Sequence, residues 1–259
     1  AYLSVSTLYL YRTTAGFSDK ESLALMFIYM SLYFFTIGWK TERARWSVAA
    51  SVLAGLATAG AGLVWGGVQF LFFSYGLFAI INLLLNKFQK KDTLAYAIWF
   101  GVAFGVLHLI FPEKFSFGFL INNVAIVDST IAFVACIIYL ALKKLDKPFV
   151  HSLEAKHRFG AVCVGLTLLF GLIVVMFTYG PSFVSVRFYE VVENLTRPFS
   201  ATRWARTVAE SRQPYLKDLI NDVGGVYFLL FLAGLLALIY QCFKEVKEHK
   251  FKLFIVFSL

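Results

Sequence analysis

Charge is scarce in this sequence. Of 259 residues only 15% are Asp, Glu, Lys or Arg, 59% are hydrophobic, and the mean hydropathy is +0.74. Soluble domains carry about a quarter of their residues as charges, so a soluble globular class is excluded and the chain reads as an integral membrane protein. Cysteine is rare as well. The three cysteines, Cys136, Cys163 and Cys242, sit within or at the end of apolar runs and show no paired spacing. That pattern excludes a disulfide framework and a cysteine-rich metal site, and the three read as packing residues. The four histidines, His108, His151, His157 and His249, are scattered and form no metal-ligand motif. Basic residues make no stripe with interleaved stacking aromatics, which removes nucleic-acid binding. No internal repeat is present, so an inverted-repeat transporter has no support. The chain also lacks an initiator Met and a signal peptide, and its last apolar run, 251–259, stops short. It is therefore expected to be an excerpt from a longer protein.

What the sequence does have is long apolar runs. Those at about 22–40, 46–64, 67–86, 93–111, 119–142, 158–178 and 223–243 are each long enough to cross a hydrocarbon core of ~30 Å as a helix. Residues 1–11 resemble the end of a further span. The expected fold class is an all-α integral membrane protein, a polytopic helical bundle. Basic residues set its orientation. The segments 40–46, 86–92, 142–158 and 244–252 hold fifteen of the 24 Lys and Arg, which assigns them to the cytoplasmic side. The short connections opposite hold only Arg12, Lys20 and Lys114, so the formal charge of +9 is mostly a topology signal. The 29 Phe and 13 Tyr supply lipid-facing bulk and interfacial anchors.

Two segments stand apart. The run 46–64 is rich in Ala and Gly (Gly55, Gly60, Gly62), which suits close helix packing. The connection 179–222 is long for a compact bundle and carries many charges, as functional or disordered loops do. Two short acidic signatures lie on the outer side, separated by an even number of spans: Ser18-Asp19-Lys20-Glu21 and Thr207-Val208-Ala209-Glu210. Ser18-x-x-Glu21 before an apolar run is a capping box. Asp19 and Glu21 at that helix mouth, next to Arg12, also suit a divalent cation, and the two roles can coexist. Glu210 reads equally as a solvated loop acid or as a functional one.

The run Arg12-Thr13-Thr14-Ala15-Gly16-Phe17-Ser18-Asp19-Lys20-Glu21 resembles the second acidic motif of the catalytic subunit of oligosaccharyltransferase, which opens a transmembrane helix. Trp65-Gly66-Gly67 resembles that family's Trp-Gly-Gly turn, and Thr207-Val208-Ala209-Glu210 its Thr/Ser-Ile/Val-x-Glu motif in a long external loop. The matches fall in the family's order and cover about 12–243. The resemblance implies a partial glycosyltransferase C-type fold. It also implies inverting transfer of an oligosaccharide from a lipid (dolichyl-type) phosphate or diphosphate carrier to the amide nitrogen of Asn in Asn-x-Ser/Thr sequons. It implies a divalent metal, manganese or magnesium, at Asp19 and Glu21 with Glu210, and assigns Asp19 and Glu210 catalytic roles. Glu210 matches the acid that contacts the acceptor polypeptide.

Arg12, Arg203 and Arg206, on the same side, have the chemistry to pair with lipid phosphate, although balancing of nearby acids is an equal reading. The family's first acidic motif and its soluble sequon-recognising domain have no counterpart here, so the excerpt is expected to be inactive alone. The wording of the motifs leans towards an archaeal cell membrane over the endoplasmic reticulum, with the active side extracytoplasmic. Asn194-Leu195-Thr196 is itself a sequon. The half of 179–222 before Thr207 is expected to be mobile without substrate. Two rivals remain at this point: another C-type transferase acting on hydroxyls or lipids, and a transporter that uses Asp128, an acid within the apolar run 119–142, as its coupling residue.

Overall fold

The structure, a computed structural model, describes residues 20–144, 153, 158–180, 182–183, 185–186, 189, 192, 220 and 224–244. All regular elements among them are helical. They are α1 (Lys20–Lys40), α2 (Ala44–Val64), a 3-10 turn (Gly66–Val68), α3 (Gln69–Leu84), α4 (Lys90–Ile110), α5 (Phe119–Asn122), α6 (Val124–Lys144), α7 (Phe159–Tyr179) and α8 (Gly225–Lys244). Six helical stretches among the described residues are long and apolar enough to cross a membrane, ending with α7. Helices are the expected form because hydrocarbon offers no partner for an exposed peptide group, and a helix satisfies its own. The chain is a multi-pass membrane protein.

The run 119–142 is not one continuous helix. It breaks at Asn123, which is extended (φ −96°, ψ 112°). The Asn123 side-chain oxygen accepts the Ala125 N–H at 3.0 Å, and its carbonyl accepts the Ile126 and Val127 N–H groups. Asn123 is thus the N-cap of α6, and the short α5 before it is a separate turn. Hydropathy cannot reveal such a break, because the capping residue sits inside an apolar run.

The other ends have local causes too. At the end of α3, Asn86 adopts a left-handed conformation (φ 52°), and the Lys87 N–H reaches back to the Asn82 carbonyl at 2.8 Å. This closes the helix as a glycine would. The Asn86 side-chain oxygen meanwhile accepts the Gly160 N–H at 3.2 Å, tying the start of α7 to the same corner. A capping box does occur, at the start of α4, where Gln89 and Asp92 satisfy each other's backbone N–H groups. Ser18 of the box read at Ser18-x-x-Glu21 lies outside the described residues, as do most of 179–222 before Thr207 and the sequon at Asn194.

Two compact units divide the chain, one containing 11–168 and the other 169–234. In the first, α1 packs on α2, α2 on α4, α3 on α6 and α4 on α6. Small residues set the approach: Gly55 faces the Trp99 carbonyl and Val102, and Gly60 faces the Phe27 ring. The Ala- and Gly-rich α2 therefore lies between α1 and α4, as its composition suggested. Large rings fill the rest. Phe35 stacks on Tyr75 (centroids 4.1 Å), and Tyr75 and Phe72 meet Trp99 at 4.7 and 5.5 Å. Such offset and edge contacts contribute beyond area alone. In the second unit the described helical residues are mostly apolar and largely exposed, Phe177 at 87% and Val226 at 70%, as lipid-facing side chains are.

Candidate functional site at one end of the bundle

Successive helices α1 to α4 run in alternating directions, so the start of α1, the end of α2, the start of α3 and the end of α4 share one end of the bundle. Glu21 is in the first turn of the described α1. Trp65-Gly66-Gly67 and the loop 111–118 mark the same end. The other sequence-predicted site residues, Arg12, Asp19, Arg203, Arg206 and Glu210, lie outside the described residues. Among the described residues no three His, Cys, Asp or Glu side chains gather into a metal-holding group.

The Trp-Gly-Gly turn has a clear physical form. Trp65 leaves α2 in an extended conformation (φ −144°, ψ 137°), and its N–H still closes the helix on the Ala61 carbonyl at 2.8 Å. The indole then folds over Gly67, occupying the space a Cβ there would need. Gly67 is thus required by close approach of a ring, whereas Gly66 faces open space. Val68, buried, and Leu107 of α4 both press on Gly62 of α2, which fixes the turn to the end of α4.

One residue beyond Leu107 is His108. Its Nδ1 is 2.8 Å from the Phe115 carbonyl oxygen, and its ring meets Phe104 and Phe117 at centroid distances of 5.9 and 4.6 Å, the three rings forming a triangular cluster with Phe104 and Phe117 6.0 Å apart. A carbonyl only accepts, so Nδ1 carries the proton and donates. Phe115 itself is buried and meets Phe119 edge-on, so the loop is held at both ends of this contact. Sequence reasoning treated His108 as an isolated histidine. A turn bringing the 115 carbonyl back over 108 leaves no periodic signal.

Two polar seams run through the bundle. In the first, Trp99 Nε1–H donates to Thr58 Oγ1 at 2.9 Å, and Thr58 donates to the Ala54 carbonyl at 2.9 Å. Thr58 has one hydroxyl proton, so Ser31, 2.7 Å away, must donate to it, and Tyr75, 3.1 Å from Ser31, must donate in turn to Ser31. In the second, Tyr96 donates to Ser129 at 3.2 Å, and the Ser129 hydroxyl donates to the Phe72 carbonyl. Next to Ser129 is Asp128, pressed against Gly76 of α3. Both Asp128 carboxylate oxygens are buried and have no hydrogen-bond partner among the described residues. Asp128 is one turn into α6, level with Gly76 in the middle of α3.

No curated protein matches the chain. A family model does, over residues 1–258, and its subject is oligosaccharyl transferase STT3, N-terminal. This match places the chain among transferases, and the ion-coupled reading of Asp128 is not carried forward. By a match over nearly its whole length, the chain belongs to the STT3 family, the membrane-embedded oligosaccharyltransferases of protein N-glycosylation.

Proposed function

We propose that this chain is the membrane part of an enzyme that moves an oligosaccharide, with inversion, from a dolichyl-type phosphate or diphosphate carrier to the amide nitrogen of Asn in Asn-x-Ser/Thr. The observation that carries the reading is the family match over 1–258, together with the acidic signatures at Asp19-Lys20-Glu21 and Thr207-Val208-Ala209-Glu210. Asp19 and Glu21 supply hard oxygen donors of the kind that suit magnesium or manganese, and they fit such an ion in chemistry. When bound, the ion supplies Lewis-acid relief of the negative charge that grows on the departing lipid phosphate.

The residues themselves do the rest. The Glu210 carboxylate accepts hydrogen bonds from the acceptor amide N–H groups and orients a nitrogen whose lone pair is otherwise delocalised into its carbonyl. Arg12, Arg203 and Arg206 offer planar, permanently charged donors to phosphate oxygens. The Trp65-Gly66-Gly67 turn gives the reaction end of the bundle a stiff edge, because the indole is seated on Gly67. The membrane is that of an archaeal cell, with this end extracytoplasmic.

The test is transfer from a lipid-linked oligosaccharide to a fluorescent Asn-x-Thr peptide by the full-length protein in the presence of manganese. Transfer is expected to vanish with chelator, with Asp19→Ala, with Glu210→Gln and with a Gln-x-Thr peptide. Transfer to a hydroxyl acceptor instead of Asn overturns the reading in favour of another C-type transferase.

A further inference from the structure

The corner at 108–118 carries a residue that the acidic signatures do not account for. We propose that His108 is a phosphate-binding residue for the polyisoprenyl carrier, presenting Nε2–H to a phosphate oxygen at the membrane surface, with Lys114 on the loop that follows it. The proposal rests on the reading of this chain as a transferase that uses a lipid-linked donor.

Three features on one short segment support it. The first is a locked imidazole. With Nδ1–H committed to the Phe115 carbonyl at 2.8 Å and the ring held by Phe104 and Phe117, the direction of Nε2 is fixed. Nε2 has no hydrogen-bond partner among the described residues, and it is not among the buried unpartnered atoms, so it is open to a ligand. A carbonyl-anchored imidazole with its other nitrogen open is a prepared donor when protonated. The second is charge. Lys114 is exposed and its ammonium lies 5.3 Å from the centroid of the Phe115 ring, the residue that anchors His108. Glu113 on the same loop offsets the net field, so recognition here depends on directed hydrogen bonds and not on a diffuse positive patch.

The third feature is the surface around them. Leu109, Ile110, Phe111 and Phe117 are exposed at 81, 49, 49 and 68%. A charged headgroup donor ringed by exposed apolar side chains at a helix end matches an amphiphile with a phosphate at the interface and a long hydrocarbon tail beneath it. A free phosphate would have no use for the apolar ring, and an ordinary phospholipid would not require a fixed imidazole direction. The corner is also bound to the Trp-Gly-Gly turn through Leu107, Gly62 and Val68, which places it on the stiff edge of the reaction end.

The experiment is binding of polyprenyl phosphate to the full-length protein in nanodiscs, with wild type, His108→Ala, His108→Asn, His108→Gln and Lys114→Gln. An Asn side chain reproduces the Nδ1–H bond to Phe115 and removes Nε2. His108→Asn is therefore expected to keep the wild-type melting temperature yet weaken binding by roughly tenfold, the loss of one charge-assisted hydrogen bond. His108→Gln, which places an amide N–H near Nε2, should recover part of that loss, and Lys114→Gln should weaken binding about threefold. Phosphatidylglycerol and inorganic phosphate serve as competitors, and neither should displace the probe at equal concentration. Wild-type affinity in His108→Asn overturns the proposal, as does equal displacement by phosphatidylglycerol. If binding depends on His108 while no transfer to any Asn peptide is seen, the assigned phosphate contact stands and the N-glycosylation reading fails. Transfer with unaltered binding in His108→Asn gives the reverse.

Discussion

The two polar seams inside the bundle have similar surroundings and opposite degrees of completion. Around Thr58, each hydroxyl proton has an acceptor and Thr58 takes two donors, so four helices are joined by groups that leave nothing over. Around Asp128, the Tyr96–Ser129–Phe72 chain is complete, but the neighbouring carboxylate has no partner among the described residues. A satisfied network in a membrane interior holds helices in register, and an unsatisfied acid there does not contribute in that way. The contrast separates residues kept for the fold from a residue whose presence the fold does not explain.

The strongest way to break the contrast is steric. A Cβ at Gly76 would lie 2.5 Å from the Ser129 nitrogen and 2.7 Å from Asp128 Oδ2, and most of what it meets is backbone. Gly76→Val should therefore cost about 3 kcal/mol or prevent folding, since α3 and α6 must separate. Gly101→Ala, where nothing lies within 4 Å, should be neutral or slightly stabilising in the same detergent unfolding titration. Equal loss in both would mean that α3 and α6 do not meet at Gly76.

Next in size is the hub. Thr58→Val keeps the volume but leaves the Trp99 N–H and Ser31 O–H without an acceptor. A loss of about 1–2 kcal/mol is expected. Trp99→Phe should cost much less in the Thr58→Val background than in wild type, because the bond it removes is already gone. Additive losses in that double-mutant cycle would contradict the hub. Asn123→Ala comes third, with about 1 kcal/mol for the lost N-cap of α6, read from the same titration. A reading of 119–142 as one unbroken helix predicts a gain there instead.

These sites show what a sequence can and cannot express. The helices were legible because apolar length is a one-dimensional property, and α2 was legible as a packing helix because Gly and Ala recur along it. The break at Asn123 was not, since an N-cap within an apolar run differs from its surroundings by a single residue. The Thr58 hub was not legible either: Ser31, Thr58, Tyr75 and Trp99 are far apart in sequence, and each alone is an ordinary membrane residue. At the candidate site, the motif wording around Asp19 and Trp65 could be read directly. His108 could not, because its meaning comes from a carbonyl seven residues later.

The smallest expected effect tests the contrast most sharply. Asp128 was singled out from sequence as an acid in an apolar run, and the structure finds its oxygens buried with no bond to lose. Replacing a partnered buried acid strands its donor and costs several kcal/mol, whereas replacing an unpartnered one removes a desolvated group without stranding anything. Asp128→Asn should accordingly leave stability within about 0.5 kcal/mol of wild type or raise it, in contrast to Thr58→Val. A large loss would reveal a donor outside the described residues, and the seam would then be complete like the first. If stability holds while transfer to an Asn-x-Thr peptide falls, the acid is retained for the reaction and not for the fold. If both hold, Asp128 is neither glue nor catalyst, and the Tyr96–Ser129–Phe72 chain alone joins α3, α4 and α6 at that level.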